Sequence, residues 1–222
     1  MEMSESKKLF LGVEPDVTCY QHIIEYKELV YNKIGHQRFL DDTPHVTLYL
    51  AQFDNESQVI ERLECVSGQI KAIEAAITNW HVFYNDPLTN EHTIVCDFNI
   101  SSQMALKQLQ IQLIQSIAPL RNVSDTTSGY LGQWARMNEI QRNNIDSYGF
   151  PFIGDIWHPH MTIASVKPEQ FDNVWPTLNT STPNASMRFN KIYLFEVHKG
   201  AIEKIGAFNL AKQTLESGIV VS

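Results

Sequence analysis

The pentapeptide Pro-His-x-Thr-x, with an apolar residue at each x, occurs twice: Pro44-His45-Val46-Thr47-Leu48 and Pro159-His160-Met161-Thr162-Ile163. Each copy opens an apolar run, HVTLYLA over 45–51 and HMTIASV over 160–166, that reads as a β-strand, and a helical pattern follows each run. Internal self-similarity of this kind predicts two related lobes. Side chains alternate along a strand, so His45 and Thr47 share one face and Tyr49 falls two residues further on the same side. Val46, Leu48 and Leu50 take the other face, towards a core. His160 and Thr162 alternate with Met161 and Ile163 in the same way. Proline cannot donate a ladder hydrogen bond and suits the start of a strand. If the lobes pack about an approximate twofold axis, two imidazoles and two hydroxyls meet in one cleft.

The remaining patterns fill in both lobes. Residues 8–13 read as a strand. Residues 17–34 read as a helix with Cys19, Ile23, Tyr26, Leu29, Val30 and Ile34 at helical spacing, ended by Gly35. A second helix is predicted over 56–76, strands over 77–84 and 92–100, and a third helix over 102–117. A helix over 168–178, interrupted at Pro176, and strands over 188–198 and 205–211 joined around Lys199-Gly200 complete the chain. The order β-α-β-α-β-β then α-β-α-β-β mixes alternation with hairpins. It predicts an α+β fold: a single bilobal, duplicated domain over 1–222, with antiparallel sheets lining a central cleft and helices outside. Residues 119–150 interrupt the repeat. They carry Tyr130, Trp134, Tyr148 and three arginines, include a short helix over 134–145, and read as a candidate lid insertion.

The chain has 17 basic and 25 acidic residues among 222, a net charge of −8. Non-specific nucleic-acid affinity comes mainly from Lys and Arg neutralising phosphates, so long duplex DNA is an unsuitable partner. A small phosphorylated ligand or a nucleic-acid end needs only a local cluster of charge, for which Lys8, Arg38, Lys167 and Lys199 are the candidates. Cys19, Cys65 and Cys96 are few, odd in number and widely spaced, a pattern unlike a disulfide framework or a zinc site. The N-terminal MEMSESKKLF lacks the basic-then-apolar pattern of a signal peptide. No apolar stretch approaches the ~20 residues that span a bilayer. A cytoplasmic monomer without membrane association is the expectation.

Two histidines across a cleft suit phosphodiester cleavage. A neutral imidazole accepts a proton from the nucleophile and an imidazolium donates one to the leaving oxygen, both forms being accessible around the ordinary pKa of ~6.5. The threonine hydroxyls can hold non-bridging oxygens. This chemistry requires neither metal nor cofactor. Tyr49, Tyr130, Trp134 and Trp157 are candidates for stacking on a base or contacting the substrate. His158-x-His160 has the spacing of a metal-ligand pair, but no third ligand is evident in the sequence. A module that binds a nucleotide or RNA end without turnover is the alternative. Two intact proton-transfer groups favour an enzyme.

PHVTLYL and PHMTIAS resemble the paired H-x-T motifs of the two-histidine (2H) phosphoesterase superfamily. That group includes the bacterial RNA 2′,3′-cyclic phosphodiesterases first described as 2′-5′ RNA ligases, and the cyclic nucleotide phosphodiesterases. The resemblance extends from KKLFLGVEP through IYLFEVHKGAIEKIGAFNLA. It implies a bilobal α+β fold, catalytic roles for His45 and His160, and phosphate binding by Thr47 and Thr162. It also implies a substrate carrying a cyclic or 2′-5′ phosphodiester: an RNA end, a 2′-5′-linked oligonucleotide, a cyclic oligonucleotide or a cyclic phosphate of ADP-ribose. In the bacterial RNA-processing group a basic residue often closes the second motif, whereas Ala164-Ser165 stand there in this chain.

Overall fold

A computed structural model describes residues 6–198 and 200–211. The first half runs β1 (Lys7–Val13), α1 (Val17–Ile34), β2 (Val46–Phe53), α2 (Glu56–Ser67) and β3 (Ile73–Phe83). The second runs β4 (His92–Phe98), α3 (Ile100–Ile117), α4 (Val123–Ser128), α5 (Glu139–Tyr148), β5 (His160–Val166), α6 (Pro168–Leu178), β6 (Ala185–Phe189), β7 (Lys191–His198) and β8 (Ala201–Asn209). Helix starts are fixed locally. Asp16, Asn55, Asn99 and Asn138 each accept a hydrogen bond from a backbone N–H of the first turn, satisfying donors that a helix start leaves free.

The strands form two four-stranded antiparallel sheets, ordered β2-β1-β7-β8 and β5-β4-β3-β6. The two are topologically equivalent. Each has its motif strand at one edge, then the strand that precedes it in the repeat, then a strand supplied by the other half of the chain. The helices cross over as well. α1 packs on β5 and α6, and α3 packs on β2 and α2. Each lobe is therefore completed by the other, and a continuous apolar core runs from Leu9 and Leu48 through Leu106 and Ile163.

Several boundaries depart from the sequence expectations. α2 stops at Ser67, before Gly68, and Ile73 opens β3, so the apolar spacing that suggested a helix to 76 spans two elements. The run 188–198 is two strands, not one. β6 pairs with β3 in one sheet, β7 pairs with β1 in the other, and Asn190 is the crossing point. α6 continues through Pro176 to Leu178. Within 119–150 the helices are α4 and α5, with only a short 3₁₀ turn at Trp134–Arg136. Lys199 lies outside the described residues. Among the described residues no helix is long and apolar enough to cross a membrane.

The most consequential irregularity is a β-bulge that occurs in both motif strands. Thr47 pairs with Gly12 and Tyr49 with Leu11, leaving Leu48 unpaired. Thr162 pairs with Val95 and Ala164 with Ile94, leaving Ile163 unpaired. The extra residue is the last apolar position of the pentapeptide in each copy. A bulge shifts the alternation by one residue. Beyond it Tyr49, Ala51 and Phe53 are buried while Leu50 and Gln52 take the other side.

Candidate active site

His45, Thr47, His160 and Thr162 line a single cavity of about 480 Å³ between the two sheets. Each histidine is anchored in the same way. His45 Nδ1 lies 2.7 Å from the carbonyl of Thr43, and His160 Nδ1 lies 2.6 Å from the carbonyl of His158. A carbonyl only accepts, so in both rings Nδ1 carries a proton and donates it. The neutral imidazole then has its lone pair on Nε2. His45 Nε2 is 3.1 Å from Thr47 Oγ1. His160 Nε2 has no hydrogen-bond partner among the described residues. The anchoring carbonyl belongs to the second residue before each histidine, so the repeat sets the tautomer as well as the position.

Aromatic rings back both imidazoles. His45 lies against Phe10 and Phe195, with centroids 5.0 and 5.9 Å away, and His160 meets Phe83 edge-on at 5.0 Å. Desolvation disfavours the charged form. Burial pushes His45 below its ordinary value, opposed mainly by its bond to the Thr43 carbonyl. His160 is pushed down to about 4, first by burial, with the charges of His158 and His45 adding to the effect. Both shifts favour the neutral imidazole near pH 7.

Behind His160 lies a cluster that the sequence patterns did not indicate. Asp97 is paired in register with His160 across β4 and β5. Its carboxylate accepts from His158 Nε2 at 2.8 Å and from Gln103 Nε2 at 3.1 Å. His81 of β3 stacks on His158 at 4.5 Å, and burial, then the His158 charge, lowers its pKa. His81, Asp97 and His158 bring ligating atoms within 4.8 Å of one another and form the group among the described residues that could hold a divalent ion. His160 is not part of that group, so the spacing His158-x-His160 does not mark a ligand pair. Only the sheet register assembles this cluster.

The other expected substrate contacts divide. Trp157 is buried and lines the cavity. Tyr49 does not reach it. The bulge at Leu48 turns its side chain into the core, where its hydroxyl donates to the Tyr148 carbonyl at 2.5 Å. Leu50 takes the place on the wall that strict alternation had given to Tyr49. Tyr130 is buried, Trp134 is packed against the core, and neither lines the cavity. Residues 119–150 contribute Gln141 and Phe150 to the wall, and Phe152, Ile156 and Trp157 follow directly.

The β3–β4 loop forms another wall through Asp86, Pro87, Leu88 and Thr89. A polar network holds it there. Asp86 accepts from Thr93 Oγ1 at 2.8 Å, and Ser165 Oγ lies 2.9 Å from Thr93 Oγ1 and 3.0 Å from Thr89 Oγ1. Arg136 Nε donates to the Pro87 carbonyl at 2.8 Å, tying residues 119–150 to the same loop.

The expected sources of positive charge are not at the site. Lys8, Arg38 and Lys167 do not line the cavity, whereas Lys27 does. Lys27 falls on the buried stripe of α1, four residues after Ile23 and eight after Cys19. A lysine at that spacing was the available signal.

Two equivalent sheets, each carrying a His and a Thr from its edge strand to a shared cavity, make up the architecture of a two-histidine phosphoesterase. Residues 15–201 match the family model of the 2′-5′ RNA ligase superfamily, and the chain belongs to that family. Similar solved structures include the protein TT0787 of Thermus thermophilus, at 14% identity and a TM-score of 0.59 over 93% of this chain and all of that one. E. coli LigT in apo form is 15% identical with a TM-score of 0.53, over 94% of this chain and 99% of that one. E. coli LigT complexed with 3′-AMP is 14% identical with a TM-score of 0.51, over 93% and 99% respectively. At these identities the likeness establishes the fold. No curated protein matches the sequence.

Proposed function

We propose that the protein is a metal-independent phosphodiesterase that hydrolyses or cleaves a cyclic or 2′-5′-type phosphodiester of a nucleotide or RNA end, with His45 and His160 as its acid–base pair. The observation that carries this reading is the convergence of the two His/Thr pairs on one cavity, with matching Nδ1 anchors that put the lone pair of each neutral ring on Nε2. E. coli LigT has been solved with phosphate, 3′-AMP, ATP and NADP+, and a fold shared with a nucleotide-binding protein accords with it.

For a 2′,3′-cyclic phosphate the step is hydrolytic. One neutral imidazole takes a proton from water through Nε2 as the water oxygen bonds to phosphorus. The bond from phosphorus to one ribose oxygen breaks, and the other imidazole, entering as imidazolium, protonates that oxygen. The product is a phosphate monoester. The two rings finish with exchanged protonation states and reset through solvent. Thr47 and Thr162 donate to non-bridging oxygens and hold the phosphorus in line. An anionic phosphate between the rings favours the imidazolium and offsets the burial that keeps the ligand-free rings neutral.

The test is a panel of nucleoside 2′,3′-cyclic phosphates, 2′-5′-linked oligonucleotides, cyclic oligonucleotides and a cyclic phosphate of ADP-ribose. Each is incubated with purified protein and excess chelator, and products are identified by mass spectrometry. Turnover of at least one class is expected. Activity that vanishes in chelator and returns with zinc would move the chemistry to the His81, Asp97 and His158 cluster.

A further inference from the structure

Lys27 is buried as deeply as the apolar residues around it, with 4% of its surface exposed. Its ammonium donates to the carbonyls of Phe39 and Asp42, the latter at 2.7 Å. It makes no ion pair among the described residues. A buried ammonium is costly unless an anion or well-placed dipoles replace its water. Two carbonyls satisfy two of its three N–H groups, and the third is left over. Phe39, in the loop that supplies the carbonyls, is a non-glycine residue at φ 71°.

Among the described residues Lys27 is also the one lysine or arginine on the cavity wall, in the same group as Thr43, His45 and Thr47. Its charge is felt at His45. Burial lowers its own pKa to about 8, opposed by Asp42 and Asp41, which leaves it mostly protonated at neutral pH. Asp42 and Asp86 share the wall and repel additional negative charge. The aromatic residues Phe39, Phe83, Phe150, Phe152 and Trp157 supply much of the rest.

We infer that Lys27 is the anion-recognising group of the cavity, and that it selects a compact ligand bearing one phosphodiester charge on an apolar, base-sized body rather than a polyanionic chain. This rests on reading the cavity as a phosphodiester site. One cation attracts one phosphate group, the two wall carboxylates disfavour further negative charge, and 480 Å³ suits a mononucleotide enclosed by aromatic surface. Lys27 acts from α1, outside both motifs, and its third N–H is the donor for a non-bridging oxygen.

The test separates charge recognition from a merely structural strap across residues 39–42. Binding of adenosine, adenosine 3′,5′-cyclic monophosphate (a diester with one charge) and adenosine 3′,5′-bisphosphate is measured by calorimetry for the wild type, Lys27→Met, Lys27→Gln and Lys27→Arg. The wild type should prefer the cyclic monophosphate over adenosine and gain nothing from the extra charge of the bisphosphate. Lys27→Met should shrink the phosphate preference about 10-fold or more, the scale of one hydrogen bond to a charged group. Adenosine binding should be unchanged, and Lys27→Arg should restore part of the preference. Lys27→Gln removes the charge while keeping a donor for the carbonyls, and it carries the comparison if the methionine variant fails to fold. Equal loss for adenosine and its phosphate, or an unchanged preference, would overturn the role of Lys27. Tighter binding of the bisphosphate would overturn the single-charge selection. If the preference depends on Lys27 but no cyclic phosphate is turned over, the inference stands and the phosphodiesterase reading fails.

Discussion

At the scale of single residues, the anchored imidazoles make the sharpest demands. His45→Ala and His160→Ala should each lower turnover by roughly 10²-fold or more, the usual loss on removing a positioned acid or base. The double variant should be little worse than either single one if the pair acts as a unit. Thr47→Val and Thr162→Val should cost less, since each removes one phosphate contact and leaves proton transfer in place. Steady-state kinetics with a cyclic phosphate decides this, and wild-type turnover in either histidine variant would end the mechanism. The direction of the pKa shifts adds a second expectation. kcat/KM reports the free enzyme, in which both rings are depressed, His160 to about 4. The imidazolium needed as acid becomes scarce as pH rises, so kcat/KM should peak below the ordinary imidazole value of ~6.5 and fall towards neutrality. The kcat profile should lie at higher pH, because bound phosphate favours the charged ring.

At the scale of elements, the paired bulges determine what each strand presents to the cleft. They leave the His and Thr of each motif on the cavity and turn the strand over immediately afterwards. Tyr49 therefore works as a tie between β2 and α5, through its bond to the Tyr148 carbonyl. Tyr49→Phe should lower stability by about 1 kcal/mol, the net value of one such bond, with KM unchanged in the same assay. Tyr130 and Trp134 follow the same logic. Tyr130→Ala and Trp134→Ala should destabilise by about 3 kcal/mol, as large-to-small changes at packed aromatics do, without weakening substrate binding. Denaturant melts alongside KM measurements separate the two effects. A raised KM with stability intact would return these residues to the substrate.

At the scale of the molecule, exchange of β3 and β7 between the halves makes the two lobes one cooperative unit. A fragment ending after α3 keeps β1 to β4 but loses β5 to β8, leaving both sheets incomplete. It should show no cooperative melt by circular dichroism, while the whole chain unfolds in one transition. Acid should weaken that transition. The folded pKa values of His45, His81 and His160 lie below their unfolded value, so below about pH 6.5 the unfolded chain binds more protons. Their contribution to stability is present above that pH and is lost as pH falls towards 4. The urea midpoint should drop across this window, and His160→Gln should flatten the drop. A midpoint indifferent to pH between 6.5 and 4 would contradict the depressed pKa values of these half-buried rings.

The repeated Pro-His-x-Thr-x was enough, read as sequence, to indicate duplication, the two motif strands and the four side chains that meet at the cavity. Strand alternation and helix periodicity are local properties, and over five residues they hold. They stop being sufficient where a long-range pairing adds or removes a residue. Nothing in HVTLYLA marks Leu48 as a bulge, so strict alternation pointed Tyr49 at the cleft. The continuous apolar pattern of 188–198 hid the change of sheet at Asn190, because both halves are strands of similar composition. His81 and Asp97 meet His158 only through the β3–β4–β5 register, and Lys27 reaches the cavity only because α1 packs across onto the other lobe. Sequence by itself determined which groups are available for chemistry. The tertiary structure decided which of them share a cavity, since that depends on pairings between residues far apart in the chain.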